Sequence, residues 1–243
     1  MKNLRFLQVA CARFAMCSTV LASLLLLSGC VQHIDDLNAT IDEAFFGAED
    51  VSQSSQQVMD LPYASAYLRI NEGQRIFVVL GYAEPNPNNQ QLQLKWISSD
   101  GGMMVTEHGR VVKTLNLPQL NLIQRDVDVN SLASSPPWQT GAQWQSQYDW
   151  QRLSNQGTNR DHYGYVGQVS LTPLGEEKVI STIWQQTLSQ WQESVYFPQL
   201  DKTLHNRYWV NRDGQVMKSI QYLGPEMTRI EFEILKPFAE AAQ

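Results

Sequence analysis

Cys30 is the residue whose chemistry its neighbours announce most clearly. It follows Leu27-Ser28-Gly29, a small pair ahead of a cysteine and the form of a bacterial lipobox, where a peptidase cleaves before a cysteine whose sulfur is already acylated. The preceding stretch fits that use. Lys2, Arg5 and Arg13 carry positive charge, and residues 15–27 are almost wholly apolar. That run is far shorter than the roughly 20 residues of a membrane-spanning helix and has the proportions of a signal-peptide core. Residues 1–29 are therefore expected to be removed. Cys11 and Cys17 leave with them, so the mature chain keeps Cys30 alone and has no disulfide, thiolate nucleophile or cysteine metal site. Diacylglyceryl and N-acyl groups on Cys30 would anchor the chain in the membrane permanently. Each buried methylene contributes about 0.8 kcal/mol, and more than one chain makes attachment stable. Val31 follows rather than Asp, so the usual inner-membrane retention signal is missing. The expectation is an outer-membrane lipoprotein facing the periplasm.

Other chemistry is sparse. Gly-x-Ser-x-Gly, Gly-x-x-x-x-Gly-Lys and His-Glu-x-x-His do not occur. Asp126-Val127-Asp128-Val129-Asn130 begins like a calcium loop, but Ser131 and Pro137 stand where that loop needs Gly and Glu; it reads as an exposed acidic loop. His33, His108, His162 and His205 are scattered, and in Glu107-His108 and Asp161-His162 neighbours on a strand would point to opposite faces. These read as turn or surface pairs. Asp100 and Asp213 precede Gly in tight turns, where Asp serves its backbone hydrogen bond. Glu193 is different. By alternation it shares a face with Trp191, Val195 and Phe197, and a buried carboxylate needs a partner. An inward ion pair with an Arg on a neighbouring strand is the expectation, a site in a cleft the other reading. No cluster demands a metal or cofactor, so the domain is expected to fold without either.

The elements behind these residues are mostly strands. Ile34, Leu37, Ile41, Ala44 and Phe45 fall at helical spacing over 33–47, with Gly47 as a stop. Residues 48–60 are polar and without period, and read as a tether that completes a lipidated N-terminal section, 30–60. Residues 61–243 then form one β domain. Runs at 75–82, 91–96, 103–106, 110–115, 143–150, 165–171, 178–184, 188–197, 204–210, 216–222 and 228–235 alternate or are bounded by turn residues; Asn211-Arg212-Asp213-Gly214 is a hairpin signal. Leu92, Leu94 and Trp96 share a face, as do Trp144, Tyr148 and Trp150, and Ile230, Phe232 and Ile234. The fold class is mainly β, a large antiparallel meander curled into an unclosed barrel or sandwich, with a short N-terminal helix. Residues 116–142, with Pro118, Pro136 and Pro137, read as a long excursion. The aromatic residues suit a core, or else stacking platforms for sugar rings.

Charge narrows the partners. Lys and Arg number 18 and Asp and Glu 24, a formal −6. The leader takes three cations and no acid, leaving the rest of the chain at −9. That balance excludes nucleic acid, whose binding requires neutralised phosphates.

Several segments taken in order resemble one family. They are Leu61-Pro62-Tyr63-Ala64-Ser65, Lys95-Trp96-Ile97-Ser98-Ser99-Asp100-Gly101 and His108-Gly109-Arg110-Val111-Val112-Lys113-Thr114. Tyr148-Asp149-Trp150 and Asn206-Arg207-Tyr208-Trp209-Val210-Asn211 follow. The last are Gly214-Gln215-Val216-Met217-Lys218-Ser219-Ile220-Gln221 and Ile234-Leu235-Lys236-Pro237. Behind a lipobox, this set resembles the YjbF/GfcB family of group 4 capsule lipoproteins. Met217 stands where the family pattern expects an aromatic, and 134–145 matches no part of it. The resemblance implies an outer-membrane lipoprotein acting with polysaccharide or other capsule-export proteins, with no established catalytic activity. Within the matching segments, Trp96, Arg110, Trp150, Trp209 and Gln221 are the candidate contacts to glycan or partner. Two other functions stay open: a polysaccharide hydrolase with two carboxylates about 5–10 Å apart, and a lipid or lipoprotein carrier whose open barrel encloses an apolar cavity.

Overall fold

The computed structural model describes residues 50–117, 120–127, 138–152, 160–224 and 228–239. Cys30, the helix expected over 33–47, and Asp128 to Pro137 of the calcium-like run lie outside the described residues.

Part of the expected tether is helical. Ser54 and Gln57 form a reciprocal capping box, side chain of each to backbone N–H of the other, which opens α1 (Ser55–Asp60). Val58 is its buried residue. Lys236 Nζ donates to the Met59 carbonyl at 3.1 Å and Ser55 Oγ to the Thr182 carbonyl at 2.8 Å, so tertiary contacts hold a helix too short to persist alone. Six residues with one buried position leave no period to read.

Twelve strands follow in two meanders. The first comprises β1 (Ser65–Ile70), β2 (Arg75–Pro85), β3 (Leu92–Ile97), β4 (Met103–Glu107) and β5 (Arg110–Leu115). The second comprises β6 (Leu120–Val127), β7 (Gln143–Arg152), β8 (Arg160–Ile180), β9 (Gln185–Phe197), β10 (Lys202–Val210), β11 (Val216–Tyr222) and β12 (Arg229–Lys236). β1 pairs antiparallel with β12, Leu68 opposite Phe232. That pairing fuses the meanders into one sheet, β5-β4-β3-β2-β1-β12-β11-β10-β9-β8-β7-β6. The sheet is nearly closed into a barrel, and β5 and β6, adjacent in sequence, are its two edges at one unsealed seam.

Alternation decides what faces inward, because successive side chains point to opposite faces of a strand. One register row carries Trp191, Tyr208, Ser219, Phe232, Leu68 and Ile76 from β9 to β2. The apolar core on these faces includes Trp96, Met104, Leu122, Tyr148, Val195, Phe197 and Ile230. Trp96 packs edge-on against Phe232 at 5.1 Å, and Tyr148 against Phe197 at 5.1 Å, arrangements that aromatic quadrupoles favour.

Three expectations are corrected. β1 and β6 are strands that alternation did not flag, and β6 lies inside the supposed excursion at 116–142. Its alternation is broken by a register shift between Leu122 and Gln124, and prolines flank it. The run at 165–171 and the first three residues of that at 178–184 belong to a single strand, β8, which continues through Pro173 to Gly175 by a bulge and ends at Ile180, leaving 181–184 in the turn before β9. A bulge tolerates a residue that cannot donate to the ladder, and Gly175 supplies φ +113°. The hairpin of β8 and β9 beyond the bulge reaches β12: Trp184 Nε1 donates to the Ile234 carbonyl at 2.8 Å, beside the register shift of β1 against β12.

Candidate functional site

The seam is closed by side chains rather than by a ladder. Thr114 Oγ1 accepts from the Leu122 N–H at 2.8 Å and Asn121 Oδ1 from the Leu117 N–H at 3.0 Å, stitching β5 to β6. The other end of β5 is held by Gln221 of β11. Its Oε1 accepts from the Val111 N–H and its Nε2 donates to the Gly109 carbonyl, both at 2.9 Å. One amide side chain thus stands in for a neighbouring strand along an edge that would otherwise bury unpaired backbone groups. The approach is close. A Cβ on Gly109 would overlap the Val216 side chain, and His108 and Gly109 both have positive φ (47° and 77°), as a two-residue hairpin turn of this hand requires.

Behind this contact sits a buried charge cluster. Glu193 of β9 and Arg110 of β5 are 0% and 2% exposed. Arg110 Nε donates to Glu193 Oε2 at 2.5 Å. Glu193 Oε1 accepts from Arg125 Nη2 at 3.1 Å, Asn206 Nδ2 at 2.9 Å and Tyr208 Oη at 3.2 Å. The inward ion pair is as the alternation of β9 suggested, but the cations come from β5 and β6, the two seam edges, and not from an adjacent strand. Burial alone would raise the Glu193 pKa; the charges of Arg125 and Arg110 outweigh it and hold the carboxyl at about 2. Burial pushes the Tyr148 and Tyr208 phenols well above their usual range. The Arg110 guanidinium lies 4.6 Å from the Trp138 ring centre and 5.1 Å from that of Trp144, so aromatic faces supply further stabilisation of the cation.

The neighbouring guanidiniums hold Glu193 ionised well below neutral pH, and both its oxygens are already occupied. The buried carboxylates among the described residues are Glu193 and Glu107, and they share no hydrogen-bond partner. Glu107 follows the inward Thr106, whose Oγ1 receives Trp96 Nε1 at 3.1 Å. Glu107 instead accepts from Asn86 at 2.7 Å, Gln93 at 2.8 Å and Asn89 at 3.3 Å, which pins the connection between β2 and β3. Asp100 accepts from Ser98 Oγ within its turn, and the Asp213 N–H donates to Asn211 Oδ1 at 3.0 Å. His162 stacks on Trp150 at 5.2 Å. Among the described residues no group of three or more His, Cys, Asp and Glu is placed to hold a metal ion.

The five candidate contact residues are all buried. Arg110 and Gln221 come together at the edge of β5. Trp96 lies in the apolar half of the interior, Trp150 packs near the seam against Tyr165 and His162, and Trp209 faces outward under Glu177 and Lys218, its Nε1 donating to Glu177 at 2.7 Å. Arg125, Asn206 and Tyr208 went unnoticed in the sequence. The inward parity of Asn206 and Tyr208 with Trp191 and Glu193 was available; Arg125 had no signal because its strand was hidden.

Two of the clefts among the described residues are open to solvent. An apolar one of about 460 Å³ lies at the mouth of the barrel interior, lined by Leu92, Leu94, Trp96, Met217, Phe232 and Ile234, with Phe238 at its rim. A second, of about 470 Å³ and of mixed polar and apolar lining, lies on β10 to β12.

The family model described as group 4 capsule polysaccharide lipoprotein gfcB, YjbF, matches residues 38–235. Two curated proteins of Escherichia coli strain K12 are similar over most of their length. The uncharacterized lipoprotein GfcB is 33% identical over 216 residues, covering 88% of this chain and 94% of that protein. The uncharacterized lipoprotein YjbF is 31% identical over 219 residues, covering 87% and 93%. The crystal structure of the hypothetical lipoprotein YmcC from Escherichia coli K12 matches with a TM-score of 0.69 at 30% identity, covering 88% of this chain and 100% of that one.

Proposed function

This chain belongs to the YjbF/GfcB family of group 4 capsule polysaccharide lipoproteins, and from that premise we propose that it is an outer-membrane lipoprotein, anchored through Cys30 and facing the periplasm, that serves capsule or exopolysaccharide assembly as a non-catalytic accessory or binding component. The observation that carries the non-catalytic reading is the state of Glu193. A general acid must hold a proton near working pH and a nucleophile must be reachable. Glu193 is held ionised well below neutral pH and enclosed by four donors, while Glu107 is occupied by Asn86, Gln93 and Asn89. The test is polymer secretion from cells carrying Cys30→Ser or single Asp→Asn and Glu→Gln replacements, each scored for folded protein. Cys30→Ser should abolish acyl labelling and polymer output together. The carboxylate variants should lower output only as far as they lower folded protein; one folded variant with altered polymer length would make the protein an enzyme.

A second reading, carriage of a lipid or lipoprotein, is favoured by one observation. The apolar cleft is walled by Leu92, Leu94, Ile234 and Phe238 over the core residues Trp96 and Phe232, where a hydrocarbon chain would be shielded from water.

A further inference from the structure

The ladder between β10 and β11 runs from Val210 and Val216 only as far as Arg207 and Ile220. Beyond it β10 follows β9 down to Lys202 while β11 stays with β12 to Tyr222. The two strands part, with the Tyr222 N–H donating to Asn206 Oδ1 at 2.8 Å across the gap. At the parting lies the mixed polar and apolar cleft of about 470 Å³, whose lining includes Thr203, His205, Arg207, Ile220, Tyr222 and Arg229, a size within the roughly 300–1,000 Å³ of small-molecule sites. Because Asn206, Tyr208 and Gln221 point inward, His205, Arg207 and Tyr222 point outward. The Arg207 side chain is exposed and makes no hydrogen bond or ion pair among the described residues. Arg229 is paired with Glu231 through one Nη, and His205 Nδ1 lies 3.1 Å from Ser194 Oγ.

We propose that this cleft is a subsite for a carboxylate-bearing sugar residue of an acidic polysaccharide. The identification of the polymer as capsule material rests on the function proposed above; the anion preference rests on the cleft itself. Two guanidinium groups and an imidazole gather in one concavity of a chain whose formal charge is −6. A guanidinium fork matches a carboxylate bidentately, and Ile220 with the Tyr222 ring offers the apolar surface that a pyranose face requires. An anionic lipid surface is the poorer fit. Adsorption to headgroups draws on several Lys and Arg spread over one face, whereas these cations sit in a concave site beside aliphatic and aromatic groups.

The test is calorimetric titration of the full-length protein in neutral detergent with oligogalacturonate, and with a maltooligosaccharide of equal length as the uncharged control. The uronate should bind and the glucan should not. Arg207→Gln should weaken uronate binding about tenfold or more, the loss of a hydrogen bond to a charged group, with melting unchanged because Arg207 is exposed. Arg207→Lys should fall between the two. Equal binding of both sugars, uronate affinity unchanged in both Arg207→Gln and Arg229→Gln, or adsorption to phosphatidylglycerol vesicles without uronate binding would overturn the proposal. Polymer secretion separates it from the reading beneath it. Uronate binding with secretion indifferent to loss of the protein removes the capsule role and leaves the subsite; secretion lost in Cys30→Ser without uronate binding removes the subsite and leaves the role.

Discussion

Arg110 and Glu193, 83 residues apart, meet through a 2.5 Å hydrogen bond in the interior of the barrel. Arg110 stands on one edge of the seam, and Arg125, on the other edge, reaches the same carboxylate at 3.1 Å. Glu193 therefore joins both free edges of the sheet to the wall formed by β9. An open twelve-stranded sheet has two edges to protect; here one buried carboxylate holds both in place.

Glu193→Gln should be strongly destabilising. It keeps the shape of the side chain but leaves two buried guanidiniums facing each other without an anion. Removal of one partner from a buried ion pair costs about 3–5 kcal/mol. Urea denaturation of the variant should show that loss, and a change below about 1 kcal/mol would mean that the cluster does not hold the seam.

The same carboxylate makes stability pH-dependent in acid. Its pKa is about 2 in the folded protein against an ordinary 4.5. A depressed value means that the stabilisation is complete above about pH 4.5 and is lost as pH falls toward 2, a total of roughly 3 kcal/mol at 1.36 kcal/mol per unit. Melting followed between pH 5 and 2 should show this slope in the native protein. Its persistence in Glu193→Gln would assign the acid sensitivity to other groups.

Gly109→Ala should destabilise through two separable effects. The residue has φ +77° and its new Cβ would press on Val216; backbone strain of this kind costs roughly 1–3 kcal/mol, and overpacking adds to it. Val216→Gly in the same chain, which removes the Val216 Cβ together with both methyls, should recover the contact part and leave the backbone part. Chemical denaturation of the single and double variants measures both. No recovery would show that the close approach of the two turns carries no strain.

Alkyl glucosides of increasing chain length test the apolar cleft. If it takes a hydrocarbon chain, affinity should rise by about fourfold per methylene, the equivalent of about 0.8 kcal/mol, until the cleft is full and then level off. Phe238→Gln at the rim should flatten the series while leaving melting unchanged. A series without chain-length dependence would remove the lipid-carrier reading.

Local pattern was enough to assign the inward faces of most strands. Trp96, Tyr148, Glu193 and Ile230 all lie where a two-residue period puts them, because alternation is a property of a single strand and needs no partner. The family resemblance was likewise legible in short ordered segments. Other features had no local signature. β6 was hidden by its bulge and flanking prolines, and α1 is a turn and a half whose stability comes from Lys236 and Ser55 contacts. The partners of Glu193 depended on which strands face one another once the sheet curls, which no residue encodes by itself. The pairing of β1 with β12 brings β5 and β6 to the two edges, and that closure alone carries Arg110 and Arg125 to Glu193 and Gln221 to the backbone of β5. The same closure buries Trp96, Trp150 and Gln221, while the parting of β10 from β11 leaves Arg207 in an open cleft. Sequence set the side of the sheet for each residue; tertiary structure decided which residues meet, because a contact across a barrel depends on the register of every strand between.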